Sequence, residues 1–298
     1  MTISFNGLGN EGRLGNQLFQ YAFIRGISSH LGYDWIIPGP GSSRYDNYGL
    51  FDCFEMTGCD LNKNVGESLN KTVESRSSTF EEDLYNNSQD NINFSGTFQT
   101  EKYFENVREE LRTDLTFRKE YLEPCIDFID SIGGSENCIF LHVRRGNPNI
   151  TGRRGEKWSY QVLQDFHPLC KKEYYLEALS HFPEDKKVIV VSDLIDWCKK
   201  QDWLQEDRFY FSDSSYEVFR DGASVPYVDL CLMSLCSGAI IANSSLSWWG
   251  AWLQNDRGTV VAPDPWYGSG YIDLDTKDLI PERWIKVHND PTPIPPEQ

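Results

Sequence analysis

Cys138-Ile139-Phe140-Leu141-His142-Val143-Arg144-Arg145-Gly146-Asn147 decides the reading of this chain. Ile139, Phe140, Leu141 and Val143 form an apolar run of the length expected for a buried strand. The run ends on two arginines and a glycine, and Pro148 stops further ladder pairing. In an open α/β sheet, ligands gather outside the carboxyl ends of the strands. A guanidinium held there suits a phosphate, because its planar fork donates two hydrogen bonds and stays charged. Gly146 lets the backbone turn or come close. Two readings compete for Arg144 and Arg145: a diphosphate clamp, or a strand end with two solvated arginines. Side chains alternate along a strand, so at least one of the two points away.

Downstream, apolar strands and helices alternate. A helix over 172–182 puts Tyr174, Tyr175, Ala178, Leu179 and Phe182 on one face. Strands are expected at 188–191, 209–211, 239–242 and 259–262, and helices at 194–200, 226–237 and 246–254. This alternation predicts a parallel sheet covered on both faces. In the Pro- and Asp-rich tail, the apolar cluster Trp284 to Val287 is expected to pack back on the body.

Upstream, Gly133-Gly134-Ser135 breaks the chain, which predicts one domain over 1–134 and a second over 135–298. The first opens with a strand at 2–6 and a stretch from Gly7 to Gln17 that holds Gly7, Gly9, Gly12 and Gly15. An amphipathic helix carrying Leu18, Phe19, Ala22, Phe23, Gly26, Ile27 and Leu31 follows. A strand, a glycine loop and a helix can bring backbone N–H groups up to an anion; equally, such a loop is a tight connection. The spacing is not that of a dinucleotide fingerprint. A second strand is expected at Asp34–Ile37, an irregular region carrying some short elements over 38–97, a short strand followed by an aromatic turn from Phe94 to Phe104, and helices over 105–118 and 120–132.

The 298 residues include 28 Lys and Arg against 45 Asp and Glu, a net charge of −17. So acidic a chain is poorly suited to nucleic acid or an anionic membrane. An anionic ligand would need a local basic pocket, for which His142, Arg144 and Arg145 are the candidates. Eight cysteines are scattered without a CxxC pair, several inside apolar runs, which reads as small hydrophobes in a reducing compartment rather than a disulfide framework. No apolar run reaches membrane-spanning length and no leader is apparent. A soluble, cytoplasmic protein of bacterial or viral type is expected. The five histidines show no metal-ligand spacing, and Asp273-Leu274-Asp275 is an acid pair in an acidic tail, so no metal site is expected.

Other predicted strand ends also carry polar groups: Ser192-Asp193 and Asn243-Ser244-Ser245. In a parallel sheet these share one edge with His142 and Arg144. Ser244 and Ser245 open a helix, where hydroxyls cap and free N–H groups can hold a phosphate. Asp229 lies in an otherwise apolar helix, Val228 to Leu235. It is either an exposed helical carboxylate or an acceptor for a ligand such as the N1–H and N2–H₂ edge of guanine.

Four stretches resemble the α-1,2-fucosyltransferases of glycosyltransferase family 11: Gly12-Arg13-Leu14-Gly15-Asn16-Gln17-Leu18-Phe19-Gln20-Tyr21-Ala22, Thr97-Phe98-Gln99-Thr100-Glu101-Lys102-Tyr103-Phe104, His142-Val143-Arg144-Arg145-Gly146, and Ser244-Ser245-Leu246-Ser247-Trp248-Trp249-Gly250-Ala251. They lie in order across residues 7–262. The resemblance implies a GT-B-like architecture, two Rossmann-like domains with a cleft between them. It implies GDP-fucose as donor, a galactose-terminated oligosaccharide as acceptor, inversion at the anomeric carbon, and no metal or other cofactor. It assigns Arg144 to the donor β-phosphate, His142 to the GDP, Asp229 to guanine, Ser244 and Ser245 to a phosphate motif, and Asn16 to the neighbourhood of the transferred sugar. Gly15 and Arg145 belong to the same donor motifs. Glu156 follows the arginine motif and is the candidate general base, so the catalytic set is Arg144, Asn16 and Glu156. The family motif ends in Asp where this chain has Asn147. That departure keeps open a module that binds GDP-sugar without transfer, beside another GDP-fucose-dependent enzyme such as a protein O-fucosyltransferase.

Overall fold

The computed structural model describes residues 1–9, 12–41, 49–66, 71–75, 78–146, 164–212, 218–220 and 223–294. The chain forms two compact units, Met1–Arg118 with Leu274–Pro281, and Lys119–Asp273 with Glu282–Gln298.

The first unit runs β1 (Thr2–Ser4), α1 (Leu14–Leu31), β2 (Asp34–Ile36), α2 (Leu50–Cys53), β3 (Lys71–Ser75), α3 (Glu82–Asn87), β4 (Ile92–Gly96) and α4 (Arg108–Asp114). Its four strands pair in parallel in the order β2-β1-β4-β3. Helix α1 is buried along most of its length. At Gly26 it lies so close to the next layer that a Cβ would stand 2.0 Å from the Tyr103 carbonyl oxygen. The core is aromatic. Phe23 stacks on Phe98 at 3.7 Å and meets Phe5, Phe94 and Tyr103 edge-on. Phe98 adopts φ 47, a left-handed conformation that costs a bulky residue about 1–2 kcal/mol. Full burial of its ring returns about 1.5–3 kcal/mol, so packing offsets the strain. The returning segment is held through Asp278, which accepts from the Phe80 N–H at 2.9 Å and from Lys102 Nζ at 2.6 Å.

The second unit runs α5 (Lys119–Ser131), β5 (Cys138–Val143), α6 (Lys172–Leu179), β6 (Lys187–Ser192), α7 (Ile195–Cys198), β7 (Phe209–Phe211), β8 (Val218–Arg220), β9 (Ala223–Val225), α8 (Tyr227–Leu235), β10 (Ala239–Ile240), α9 (Ser245–Trp252), β11 (Val260–Asp264) and β12 (Ile285–His288). Six strands pair in parallel in the order β12-β11-β10-β5-β6-β7, and β8 and β9 form a separate antiparallel hairpin. All six residues of β5 are buried. Ile139, Leu141 and Val143 meet Val188, Val190, Tyr174 and Tyr175 in one core cluster. The order is that of the doubly wound nucleotide-binding fold, with its reversal between β5 and β10.

The units divide between Arg118 and Lys119 rather than at Gly133-Gly134-Ser135. Helix α5 belongs to the second unit because it packs there: the Tyr121 ring meets Tyr227 edge-on at 5.3 Å, and Cys125 Sγ lies 3.8 Å from the Val228 carbonyl. Both glycines, at φ 122 and 84, form the turn from α5 towards β5. The tail cluster is a strand, β12, paired with β11. The short elements within 38–97 are α2, β3 and α3, and β4 falls at the short strand expected from Phe94. All eight cysteines are buried and free. Among the described residues, no helix is long and apolar enough to cross a membrane.

Candidate functional site

In the second unit Arg144 lies where β5 and β10 part. His142 is the last residue but one of β5, and Arg144 directly follows the strand's last residue, Val143. Arg144 is half-buried, and its guanidinium donates to the Asn243 carbonyl at the end of β10, at 3.4 Å. The Asn243 amide donates to the Pro168 carbonyl at 2.7 Å and the Trp266 carbonyl at 3.3 Å, tying both flanking loops to the strand end.

His142 is buried, and its Nδ1 has no hydrogen-bond partner among the described residues. Burial, followed by the nearby Arg144 charge, holds its pKa down at about 3. His167 is pushed down to about 4 by the same two causes in the same order. At neutral pH the permanent charge of Arg144 therefore stands near two neutral imidazoles. Buried polar atoms in folded proteins almost always have a partner, so the His142 Nδ1 is suited to a ligand polar group.

Ser244 stands at the N-cap of α9 with φ −141 and ψ 124, and its hydroxyl makes no capping bond. Ser247 instead donates to the Ala242 and Ser244 carbonyls, at 3.3 Å each. The first-turn N–H groups of α9, beginning at half-buried Ser245, donate no bond to the cap side chain. The positive end of the helix dipole lies there, an arrangement that favours an anion.

Arg145 takes the opposite course from Arg144. Its guanidinium lies 3.9 Å over the Trp197 ring and it is 8% exposed. Its backbone N–H and that of Gly146 donate to the two oxygens of Asp193, at 2.9 Å each. Gly146 adopts φ 77, which a side chain would resist. Asp229, in the first turn of α8, accepts a short hydrogen bond from Ser212 at the end of β7. Asp193 is one of the polar strand ends expected from the sequence, whereas Ser212, bonded to Asp229, and His167, near Arg144, were not singled out.

The first unit places Gly15 and Asn16 in the first turn of α1, one turn earlier than the apolar periodicity indicates. Gly15 is buried and Asn16 half-buried. The glutamines beside them hold loops: Gln17 accepts from the Gly49 N–H at 3.0 Å, while Gln20 accepts from the Gly9 N–H at 3.3 Å and donates to the Gly96 carbonyl at 3.0 Å. Asn16 itself accepts from Gln99 Nε2 at 3.0 Å. Glu156, the candidate base, and Asn147 lie outside the described residues. Among the described residues, no group of three or more His, Cys, Asp or Glu is placed to hold a metal.

Comparison with known proteins bears on the family and the fold. Residues 69–288 match the profile of Glycosyl transferase family 11. The chain is 29% identical, over 93% of its own length and 96% of the relative's, to an alpha-1,2-colitosyltransferase of Escherichia coli. The crystal structure of fucosyltransferase NodZ from Bradyrhizobium matches 84% of this chain and 91% of its own, with 13% identity and a TM-score of 0.53. That of POFUT1 in complex with GDP-fucose matches 87% and 95%, with 12% identity and a TM-score of 0.50. At these identities the structures speak to the fold alone, which is GT-B-like: two parallel-sheet α/β units.

Proposed function

The chain belongs to glycosyl transferase family 11, and from that premise we propose that it transfers L-fucose from GDP-fucose to a galactose-terminated glycan. In this reading the linkage is α-1,2, the anomeric carbon inverts, and no metal is required. The observation that carries it is the setting of Arg144. A fixed guanidinium stands at the β5–β10 reversal, next to two imidazoles kept neutral and to the N-terminus of α9.

The chemistry needs that charge. The acceptor oxygen attacks the anomeric carbon from the face opposite the diphosphate. The bond from that carbon to the phosphate oxygen breaks, and its electron pair leaves with GDP. Arg144 stabilises the developing negative charge, as a preorganised cation does best in a partly buried site. The α9 N–H groups and His142 Nδ1 add hydrogen bonds to the diphosphate or ribose. Asp229, its carboxylate steadied by Ser212, accepts from N1–H and N2–H₂ of guanine. Asn16 serves the transferred sugar, and Glu156 is the group proposed to take the acceptor proton.

The relative named a colitosyltransferase supports a second reading, in which the sugar transferred is colitose and the remaining roles are unchanged. Incubation with GDP-fucose or GDP-colitose and a panel of β-galactosides, with and without EDTA, tests both. The expected result is an α-1,2-linked product from one donor in either buffer. Release of GDP from neither donor, or turnover lost to EDTA, overturns the proposal.

A further inference from the structure

The segment Thr97–Phe104 has no role in the mechanism above, yet it contains an unusual backbone. Phe98 is a bulky residue at φ 47. Its fully buried ring is pinned against Phe23, Phe5 and Tyr103. The Thr100 N–H closes the turn on the Phe98 carbonyl at 2.9 Å. A strained conformation persists where its surroundings over-determine it, and such residues cluster at working sites. Here the pinned turn determines where the next side chain goes. That side chain is Gln99, 8% exposed, and its Nε2 donates to Asn16 Oδ1 at 3.0 Å.

The other end of the Asn16 amide is shaped as well. Its Nδ2 lies against Gly12, at φ +85, where an added Cβ would stand 2.0 Å from that nitrogen. An Asn amide has an accepting end and a donating end, and substrate oxygens distinguish them. With Oδ1 turned to Gln99, Nδ2 forms the opposite end of the amide.

We propose that Gln99 is a positioning residue that fixes the polarity of the Asn16 carboxamide, so that Nδ2 donates to an oxygen of the sugar being transferred or of its leaving phosphate. This inference rests on the reading of Asn16 as a group beside the transferred sugar. Gln99 acts through Asn16 and touches no substrate itself.

Four variants test it, assayed with GDP-fucose and lactose, with kcat and donor KM determined separately and the melting temperature recorded. Gln99→Glu keeps the side-chain length but can only accept, so it turns the Asn16 amide over. Gln99→Met keeps the volume and releases the amide. Asn16→Asp keeps an acceptor for Gln99 but loses Nδ2, and Asn16→Ala removes the group. For a misaligned group, kcat is expected to fall on the order of tenfold in Gln99→Met and a hundredfold in Gln99→Glu. Donor KM should change little, and Asn16→Asp should be as impaired as Asn16→Ala. Full turnover in Asn16→Ala overturns the reading of Asn16. Impaired Asn16→Ala with unchanged Gln99→Glu and Gln99→Met overturns the inference alone. An equal loss in the two Gln99 variants also overturns it, because polarity is then irrelevant. If a Gln99 variant fails to fold, Asn16→Asp decides: wild-type kcat there excludes Nδ2 as the working atom.

Discussion

Asp193 holds Arg145 by its backbone: Oδ1 accepts the Arg145 N–H at 2.9 Å while Oδ2 takes the next N–H, at Gly146, at the same distance. The carboxylate at the end of β6 thereby closes the turn that leaves β5. The Trp197 ring, two residues into α7, completes the grip by stacking under the Arg145 guanidinium at 3.9 Å. Arg145 is consumed by this anchoring, which leaves Arg144 as the arginine directed towards the β10 end.

Asp193→Ala leaves two part-buried N–H groups without an acceptor. Hydrogen bonds to a charged acceptor contribute about 1.5–3 kcal/mol, and two on one carboxylate are not fully additive, so a loss of roughly 2–4 kcal/mol is expected. Asp193→Asn keeps one acceptor and loses about half as much. Chemical unfolding measures this, and calorimetry with GDP should show weaker binding in the same order. A stability equal to wild type in Asp193→Ala would remove the clamp from the account.

Arg144→Ala is expected to weaken GDP binding by about 1.5–3 kcal/mol, the worth of a charged hydrogen bond, and nearly to abolish transfer. Arg144→Lys restores the charge but not the bidentate fork, so it should recover only part of the affinity. The same substitution to Ala should raise the pKa of both His142 and His167, since the arginine charge is the second cause holding each down. NMR titration of the imidazoles reads this directly. Unmoved histidines would place Arg144 electrostatically apart from them.

The second unit was largely legible because its strands are buried on both faces. Residues 139–143, 188–191 and 209–211 are short apolar runs, and each lies in a strand. β3 was not legible: of Lys71-Thr72-Val73-Glu74-Ser75 only Val73 is a large apolar residue, and the first two residues are exposed. The hairpin of β8 and β9 is built from two three-residue strands, too short to carry a period. In the site, His142, Arg144 and Ser244 announced themselves as polar residues ending or following apolar runs. Ser212 did not, because its bond to Asp229 spans 17 positions and two different elements. Gln99 was visible only as part of a motif; the turn that aims it depends on packing of Phe98 that no local pattern encodes.

Asp229→Asn tests base recognition apart from phosphate binding. A carboxylate can accept from both N1–H and N2–H₂ of guanine, whereas an amide has one accepting atom. GDP affinity should fall by about 1.5–3 kcal/mol, and affinity for ADP, whose base lacks that pair of donors, should change little. Ser212→Ala removes the hydroxyl that steadies the carboxylate and should give a smaller loss of the same selectivity. An equal decrease for GDP and ADP in competition binding would argue that Asp229 has a structural role only.

The two neutral histidines make stability depend on pH in a predictable direction. In the unfolded chain an imidazole titrates near 6.5, whereas burial and Arg144 hold His142 at about 3 and His167 at about 4. Above about pH 6.5 both groups are neutral folded or unfolded, and they cost nothing. As the pH falls below that value, the unfolded chain takes up protons that the folded chain refuses. A destabilising contribution therefore builds up progressively from about 6.5 down to the folded values. The slope approaches about 1.4 kcal/mol per pH unit for each histidine. Between pH 6 and 4.5 most carboxylates are still ionised, so the loss measured by urea unfolding in that window belongs mainly to imidazoles. His142→Gln, which offers a neutral amide that never titrates, should flatten the slope there by about 1.4 kcal/mol per pH unit. A slope identical to wild type would mean that His142 is charged in the folded protein, an imidazolium near Arg144.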